Sequence, residues 1–205
     1  LRSLELFSVG LVTLPEEIIQ LGNTLECLKI GCNNFNDVPA VLTKENFPKL
    51  RILNMQACRR WTTSDLRNSK DPRYDCSIGL HFHTANNDKL KRLLLWDNLE
   101  ELVLSYNYIE GQIPDFEVGK DGVEAWTQED VDKWGGDTIK YLIGKPKILP
   151  KAKRLTLNLN FFTGALPDWI LYHPYLLEWD PETLIFNQQE SGLNSEGVLV
   201  RFNNL

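Results

Sequence analysis

Two histidines stand one residue apart at His81-Phe-His83, with Asp75, Cys76 and Asp88 close in sequence. On a strand, alternate residues share a face, so both imidazoles would point the same way, as metal ligands must. No third and fourth ligand comes at a recognised zinc spacing, and a polar strand accounts for the pair equally well. A catalytic serine would sit in a strained G-x-S-x-G turn, and the sequence has none. Its many acids could supply a glycosidase pair, but nothing fixes two of them at a working separation. Glycine-rich phosphate cradles are also absent. The residues therefore predict no enzyme, no metal and no cofactor.

Cys27, Cys32, Cys58 and Cys76 form an even set without C-x-x-C spacing. Cys27 and Cys32 are five apart on one strand and turn, too far for an easy bridge if that strand is extended. A Cys58–Cys76 bond would close a loop, a Cys32–Cys58 bond would join neighbouring turns, and four free or buried thiols remain an open alternative.

The elements that would position these residues come from an internal repeat. Leu99-Glu-Glu-Leu102-Val-Leu104-Ser-Tyr-Asn107 runs on to Gly111 and Pro114, and Ala152-Lys-Arg-Leu155-Thr-Leu157-Asn-Leu-Asn160 runs on to Gly164 and Pro167 at the same offsets. Leu25-Glu-Cys-Leu28-Lys-Ile30, with Asn33, and Leu50-Arg-Ile-Leu53-Asn-Met55, with Cys58, are further copies, and Leu1-Arg-Ser-Leu4-Glu-Leu6 is the first. This is the leucine-rich-repeat pattern L-x-x-L-x-L-x-x-N/C. Its period-two leucines turn to one side of a short strand, and a stack of such strands buries what one strand cannot. Asn33, Cys58, Asn107 and Asn160 form the structural ladder, because an amide can satisfy backbone groups left over as the chain turns inward.

Residues 1–205 read as one α/β solenoid of the leucine-rich-repeat type. It would be a right-handed superhelix with short parallel strands on its concave face and a helical or irregular convex side. Repeats start near 1, 25, 50, 99 and 152, with insertions at about 59–89 and 115–151 and a closing segment at about 175–205. Pro15 to Leu21 should open a short helix stopped by Gly22. The segment Leu90 to Leu95 should pack behind the third repeat as a helical turn. The first insertion begins basic, with Arg59, Arg60, Arg67, Lys70 and Arg73. The second is acidic, with eight acids against Lys120 and Lys133 between Asp115 and Asp137. Opposite local charges make packing of one insertion on the other an attractive expectation. Thr127-Gln-Glu-Asp130 resembles a capping box, and Val131, Trp134, Ile139 and Leu142 could face the core.

A net charge of −6 on 205 residues argues against nucleic acid as a partner. No apolar run approaches 18 residues, so any membrane link would be an N-terminal lipid anchor outside this chain. The outward strand positions would pave the concave face. Phe7, Lys29, Asn54, Gln56, Glu101, Tyr106, Arg154 and Asn158 are the candidate ligand contacts, and Val103 is expected to point the same way. Aromatic residues and Arg dominate interface hot spots, which puts Phe7, Tyr106 and Arg154 first, with Lys29 beside them.

The endings Asn107 to Pro114 and Asn160 to Pro167 resemble the plant-type repeats of plant receptors and polygalacturonase inhibitors. The segment Leu166-Pro-Asp-Trp-Ile-Leu-Tyr-His-Pro174, with Glu178-Trp-Asp-Pro181 and Asn187-Gln-Gln189, is similar to the close of leucine-rich-repeat proteins from Bacteroides-type gut bacteria. That resemblance implies export, often as a surface lipoprotein. It favours a non-enzymatic module, outside a bacterial cell, that binds a protein or glycan. The alternative is a structural spacer of a longer surface protein, which an exposed apolar edge at Leu1 and Leu4 would favour.

Overall fold

The computed structural model describes residues 1–35, 37–58, 81–82, 88–158, 160–162 and 164–176. Five three-residue strands, β1 (Ser3–Glu5), β2 (Cys27–Lys29), β3 (Ile52–Asn54), β5 (Glu101–Val103) and β7 (Arg154–Thr156), pair in parallel in that order. Each is the L-x-L segment of one repeat, and the central leucines Leu4, Leu28, Leu53, Leu102 and Leu155 lie side by side in register. The last four have no solvent exposure. Complete burial of one leucine contributes about 1.5–3 kcal/mol, so this single row is a main source of stability.

After β1, β2, β3 and β5 the chain turns at the fourth residue beyond the central leucine. Ser8, Cys32, Ala57 and Tyr106 all take positive φ there, between 52° and 62°. Immediately beyond lies the Asn or Cys that closes the turn, except in the first repeat, where Val9 takes that position. The Asn33 amide donates to the carbonyls of Leu6 and Ile30 at 2.7 and 2.8 Å, and its oxygen accepts from the N–H groups of Val9 and Leu11. Asn107 spans Met55, Leu104 and the N–H of Cys58, while Asn160 spans Leu104, Leu157 and the N–H groups of Asn107 and Ile109. Each amide thus ties its own turn to the one before it. Cys58 does less, with its Sγ 3.5 Å from the Ile30 carbonyl.

A second sheet follows this ladder, made of β4 (His81–Phe82), β6 (Tyr108–Gly111) and β8 (Phe161–Phe162), all parallel. Then come the connecting segments. Residues Glu16–Leu21 form a 3-10 helix after Pro15. Gly22 ends it, but not through the left-handed cap that glycine usually supplies, since its φ is −54°. A Cβ at Gly22 would lie 1.8 Å from the Asn46 carbonyl oxygen, so glycine is there because the next repeat's backbone passes too close for a side chain. Helix α1 (Asp88–Leu94) buries Leu90, Leu93 and Leu94 behind the repeats.

The acidic stretch between β6 and β7 has its own small core. Helix α2 (Gln128–Trp134) starts at a complete capping box between Thr127 and Asp130, and a 3-10 helix, Gly136–Leu142, follows. Trp126, Val131, Ile139 and Leu142 pack into a cluster apart from the leucine core, with Trp134 and Tyr172 against it. Val131, Ile139 and Leu142, expected to face the core, are buried, in this second cluster and not among the repeat leucines, with Trp134 partly buried against them. Helix α3 (Asp168–Leu171) buries Trp169 and Ile170, and the Trp169 indole donates to the Pro114 carbonyl at 2.8 Å. No helix among the described residues is long and apolar enough to cross a membrane.

Candidate functional site

The open face of the large sheet is built from the residues that alternate with the buried leucines. Register aligns Ser3, Cys27, Ile52, Glu101 and Arg154 in one row and Glu5, Lys29, Asn54, Val103 and Thr156 in the next. Phe7, Gly31, Gln56, Ser105 and Asn158 follow along the strands. Lys29 pairs with Glu5 at 2.8 Å, which raises the lysine pKa above its usual value, and Arg154 lies 3.9 Å from Glu101. Charges on this face are therefore answered by neighbours. Between the two pairs lie uncharged Ile52, Asn54 and Gln56, with the Asn54 side-chain oxygen accepting from the Gln56 N–H at 3.0 Å.

Tyr106 is the most open of the candidate contacts, 39% exposed at the tip of its left-handed turn. Its N–H donates to the carbonyl of Asn158 in the next repeat. Phe7 differs from the expected free aromatic. Its ring lies across Gly31, where a Cβ would come within 2.8 Å of it, and it is half-buried by its own neighbour. Val103 corrects the expectation of an outward residue, since it is buried together with Thr156 beside it. The structure thus places Glu101, Tyr106, Arg154 and Asn158 on the last two repeats and Phe7, Lys29, Asn54 and Gln56 on the first three.

His81 lies in β4 as a strand residue, while His83, Cys76, Arg59 and Arg60 lie outside the described residues. Among the described residues no three His, Cys, Asp or Glu side chains gather where a metal could bind. Cys27, Cys32 and Cys58 are free thiols. Burial pushes the Cys58 thiol up to about 12, so it stays protonated. In the acidic stretch, Asp130 is partly buried, which alone would raise its pKa. The N–H and hydroxyl of Thr127 and the Lys147 ammonium outweigh that and hold the carboxyl below its usual range.

Two features were missed by the reading of the sequence. Two residues before each central leucine stand Arg2, Glu26, Arg51, Glu100 and Lys153, alternating in sign across the five repeats. Arg51 makes two parallel bonds to Glu100 at 2.8 and 2.9 Å, and the other steps span 3.6–3.8 Å. Backbone bonds of 2.7–2.8 Å join the same residues rung by rung. The second feature is His173, buried at 5% exposure. Its Nε2 lies 3.1 Å from the Leu149 carbonyl, and its Nδ1 accepts from the N–H groups of Tyr175 and Leu176. Burial lowers its pKa to about 4, and the two N–H groups aimed at Nδ1 require a lone pair there.

The search of curated proteins finds no match. Among solved structures, the leucine-rich-repeat ectodomain of the receptor kinase SOBIR1 from Arabidopsis thaliana is similar at 18% identity and a TM-score of 0.44. That alignment covers 90% of this chain and 70% of the other. A plant ice-binding protein is similar at 17% identity and a TM-score of 0.40, over 81% of this chain and 44% of the other. The Leucine Rich Repeat family model matches residues 98–116, the repeat built from β5, the Asn107 turn and β6. The chain carries a leucine-rich repeat.

Proposed function

We propose that this chain is a non-enzymatic binding module that engages a protein or glycan across the open face of its five-stranded sheet. The observation that carries the reading is the register itself. Side chains from five successive repeats are lined up on one surface, with Tyr106 exposed beside Asn158 and Arg154 at its end. Such an extended, preformed face loses little conformational entropy on binding, which is what a recognition surface needs. Internal pairing of Glu5 with Lys29 and Glu101 with Arg154 favours a partner read by hydrogen bonds and aromatic contact over one held by bulk charge. The work is placed outside a bacterial cell, secreted or at the surface, in adhesion to a partner there. The resemblance of the Leu166 to Pro174 segment supports that location.

The test is binding of the purified chain to arrays of extracellular-matrix proteins and glycans, with Tyr106→Ala and Arg154→Ala in parallel. Saturable binding weakened about tenfold by either substitution fits a hot spot of the usual size. Saturable binding unaffected by both variants would move the site off this face. The spacer reading draws on a different observation, the apolar edge of β1, where Leu1 is 64% exposed and Leu4 and Leu6 are half-buried. It becomes the better account if no array component binds.

A further inference from the structure

The second core is small. It buries four side chains, Trp126, Val131, Ile139 and Leu142, between α2 and the 3-10 helix that follows. Helices that short persist only through packing, and residues 172–176 supply part of it. Tyr172 packs against both this core and the repeat leucines, and its carbonyl accepts from the Tyr141 hydroxyl at 3.1 Å. The Tyr175 hydroxyl donates to the Trp134 carbonyl at 3.0 Å.

Between the two tyrosines, His173 reaches the other way, to the carbonyl of Leu149 in the repeat core. Leu149 takes a φ of 42°, a left-handed conformation that a bulky residue adopts only when its surroundings impose it. Its N–H donates to the Leu94 carbonyl at the end of α1. One segment thus fastens the second core to the repeats, with the imidazole as its anchor.

The bonding at that anchor admits one protonation state. Nδ1 accepts two N–H groups and needs a lone pair, so Nε2 carries the proton that goes to Leu149. The surrounding titratable groups are Asp115 and Asp168 near Tyr172, the two tyrosines, Lys145 over the Tyr172 ring and Lys151 over the Trp134 ring. On α1, Lys91 pairs with Asp121. Among the described residues, the hydrogen-bond partners of the imidazole are all main chain. A second proton therefore enters only if the bonds from Tyr175 and Leu176 break.

We propose that residues 172–176 are an acid-released latch: protonation of His173 frees the segment from the Leu149 turn and opens the second core while the repeats stay folded. The inference does not depend on the reading of the open sheet face.

Hydrogen exchange of the full chain at pH 7.5, 6.5 and 5, corrected for the intrinsic pH dependence of exchange, tests the latch. A released histidine titrates near 6.5, so opening should become about thirtyfold more favourable between pH 7.5 and 5. The amides of Val131, Gly135, Leu149, Tyr172 and Leu176 should lose protection by that factor. They should exchange faster than those of Leu28, Leu53 and Leu102 and respond less to added urea, because a partial opening exposes less surface. In His173→Gln the pH dependence of the second-core amides should vanish. Tyr175→Phe loosens the same segment without touching the imidazole. It should speed exchange about threefold to tenfold at each pH and keep the thirtyfold ratio. A single rate and urea response shared by the two sets of amides would mean that the molecule opens only as a whole, and would overturn the proposal. Survival of the pH dependence in His173→Gln would overturn it too.

Discussion

Lowering the pH from 7.5 to 5 should weaken the fold through one side chain, His173. In the folded chain its pKa falls to about 4 from 6.5, chiefly because burial disfavours the imidazolium. The hydrogen bonds say the same: a protonated Nδ1 would point its new N–H at the N–H groups of Tyr175 and Leu176. Between pH 6.5 and 4 the unfolded chain therefore binds a proton that the folded chain does not. Stability is complete above about pH 6.5 and is lost as the pH falls toward 4. Each pH unit in that window is worth about 1.36 kcal/mol, which gives about 2 kcal/mol by pH 5 and about 3 kcal/mol in all. Urea unfolding at pH 7.5, 6, 5 and 4.5 measures this directly, with His173→Gln as the control. Glutamine keeps an N–H donor for the Leu149 carbonyl but cannot titrate. It should begin about 1–2 kcal/mol less stable at pH 7.5 and stay flat down to pH 5. Glu100 and Asp130, both held below the usual carboxylate range, lose their stabilisation only at lower pH and in both proteins alike. Wild type and His173→Gln falling in parallel from pH 6.5 to 5 would refute the argument.

The other predictions concern the repeat framework. Asn107→Ala should cost about 2–4 kcal/mol in denaturant unfolding, because it leaves the Cys58 N–H and the carbonyls of Met55 and Leu104 without partners. Gly22→Ala should cost about 2 kcal/mol or more in the same assay, since the new methyl must displace the Asn46 backbone. Thiol labelling of the native chain at pH 8, mapped by peptide mass, should modify half-buried Cys27 and Cys32 while sparing Cys58, whose thiol is protonated and enclosed. Arg51→Ala should lower stability by no more than about 1 kcal/mol, less in high salt, because the charge ladder is largely solvated.

What could be read from sequence depended on how local the signal was. The L-x-L segments carry a period-two pattern, and all five became paired strands. The second sheet carries none, since strands of two residues are too short to show a period, although Tyr108-Ile109 and Phe161-Phe162 stand in equivalent places after Asn107 and Asn160. His173 was hidden for another reason. Its acceptor is a backbone carbonyl 24 positions away, so no side-chain type marks the contact. The same holds for Gly22, whose constraint is set by the backbone at Asn46. Of the candidate contacts, Tyr106 is exposed although Ala57, at the same repeat position, is buried, so the position alone does not set exposure. The seat of Phe7 was not legible, because the residue that receives it, Gly31, is a glycine only in that repeat.

The charge ladder was missed although its signal stands in the sequence, where one repeat position reads Arg, Glu, Arg, Glu, Lys in order. Its physical consequence concerns specificity more than stability. Parallel strands that all present leucine to the core can pair in many orders, and burial alone does not distinguish them. Alternating charge does. Neighbours in the observed order, β1-β2-β3-β5-β7, place opposite signs at every step. Skipping one repeat would set Arg2 against Arg51 or Glu26 against Glu100, turning attraction into repulsion at the edge where the strands begin. The bidentate Arg51–Glu100 bond sits at one of the two long steps, between β3 and β5, where 46 residues separate Asn54 from Glu101. A long connection raises the number of misplaced pairings available to the chain, and a geometrically exact ion pair at that step selects against them.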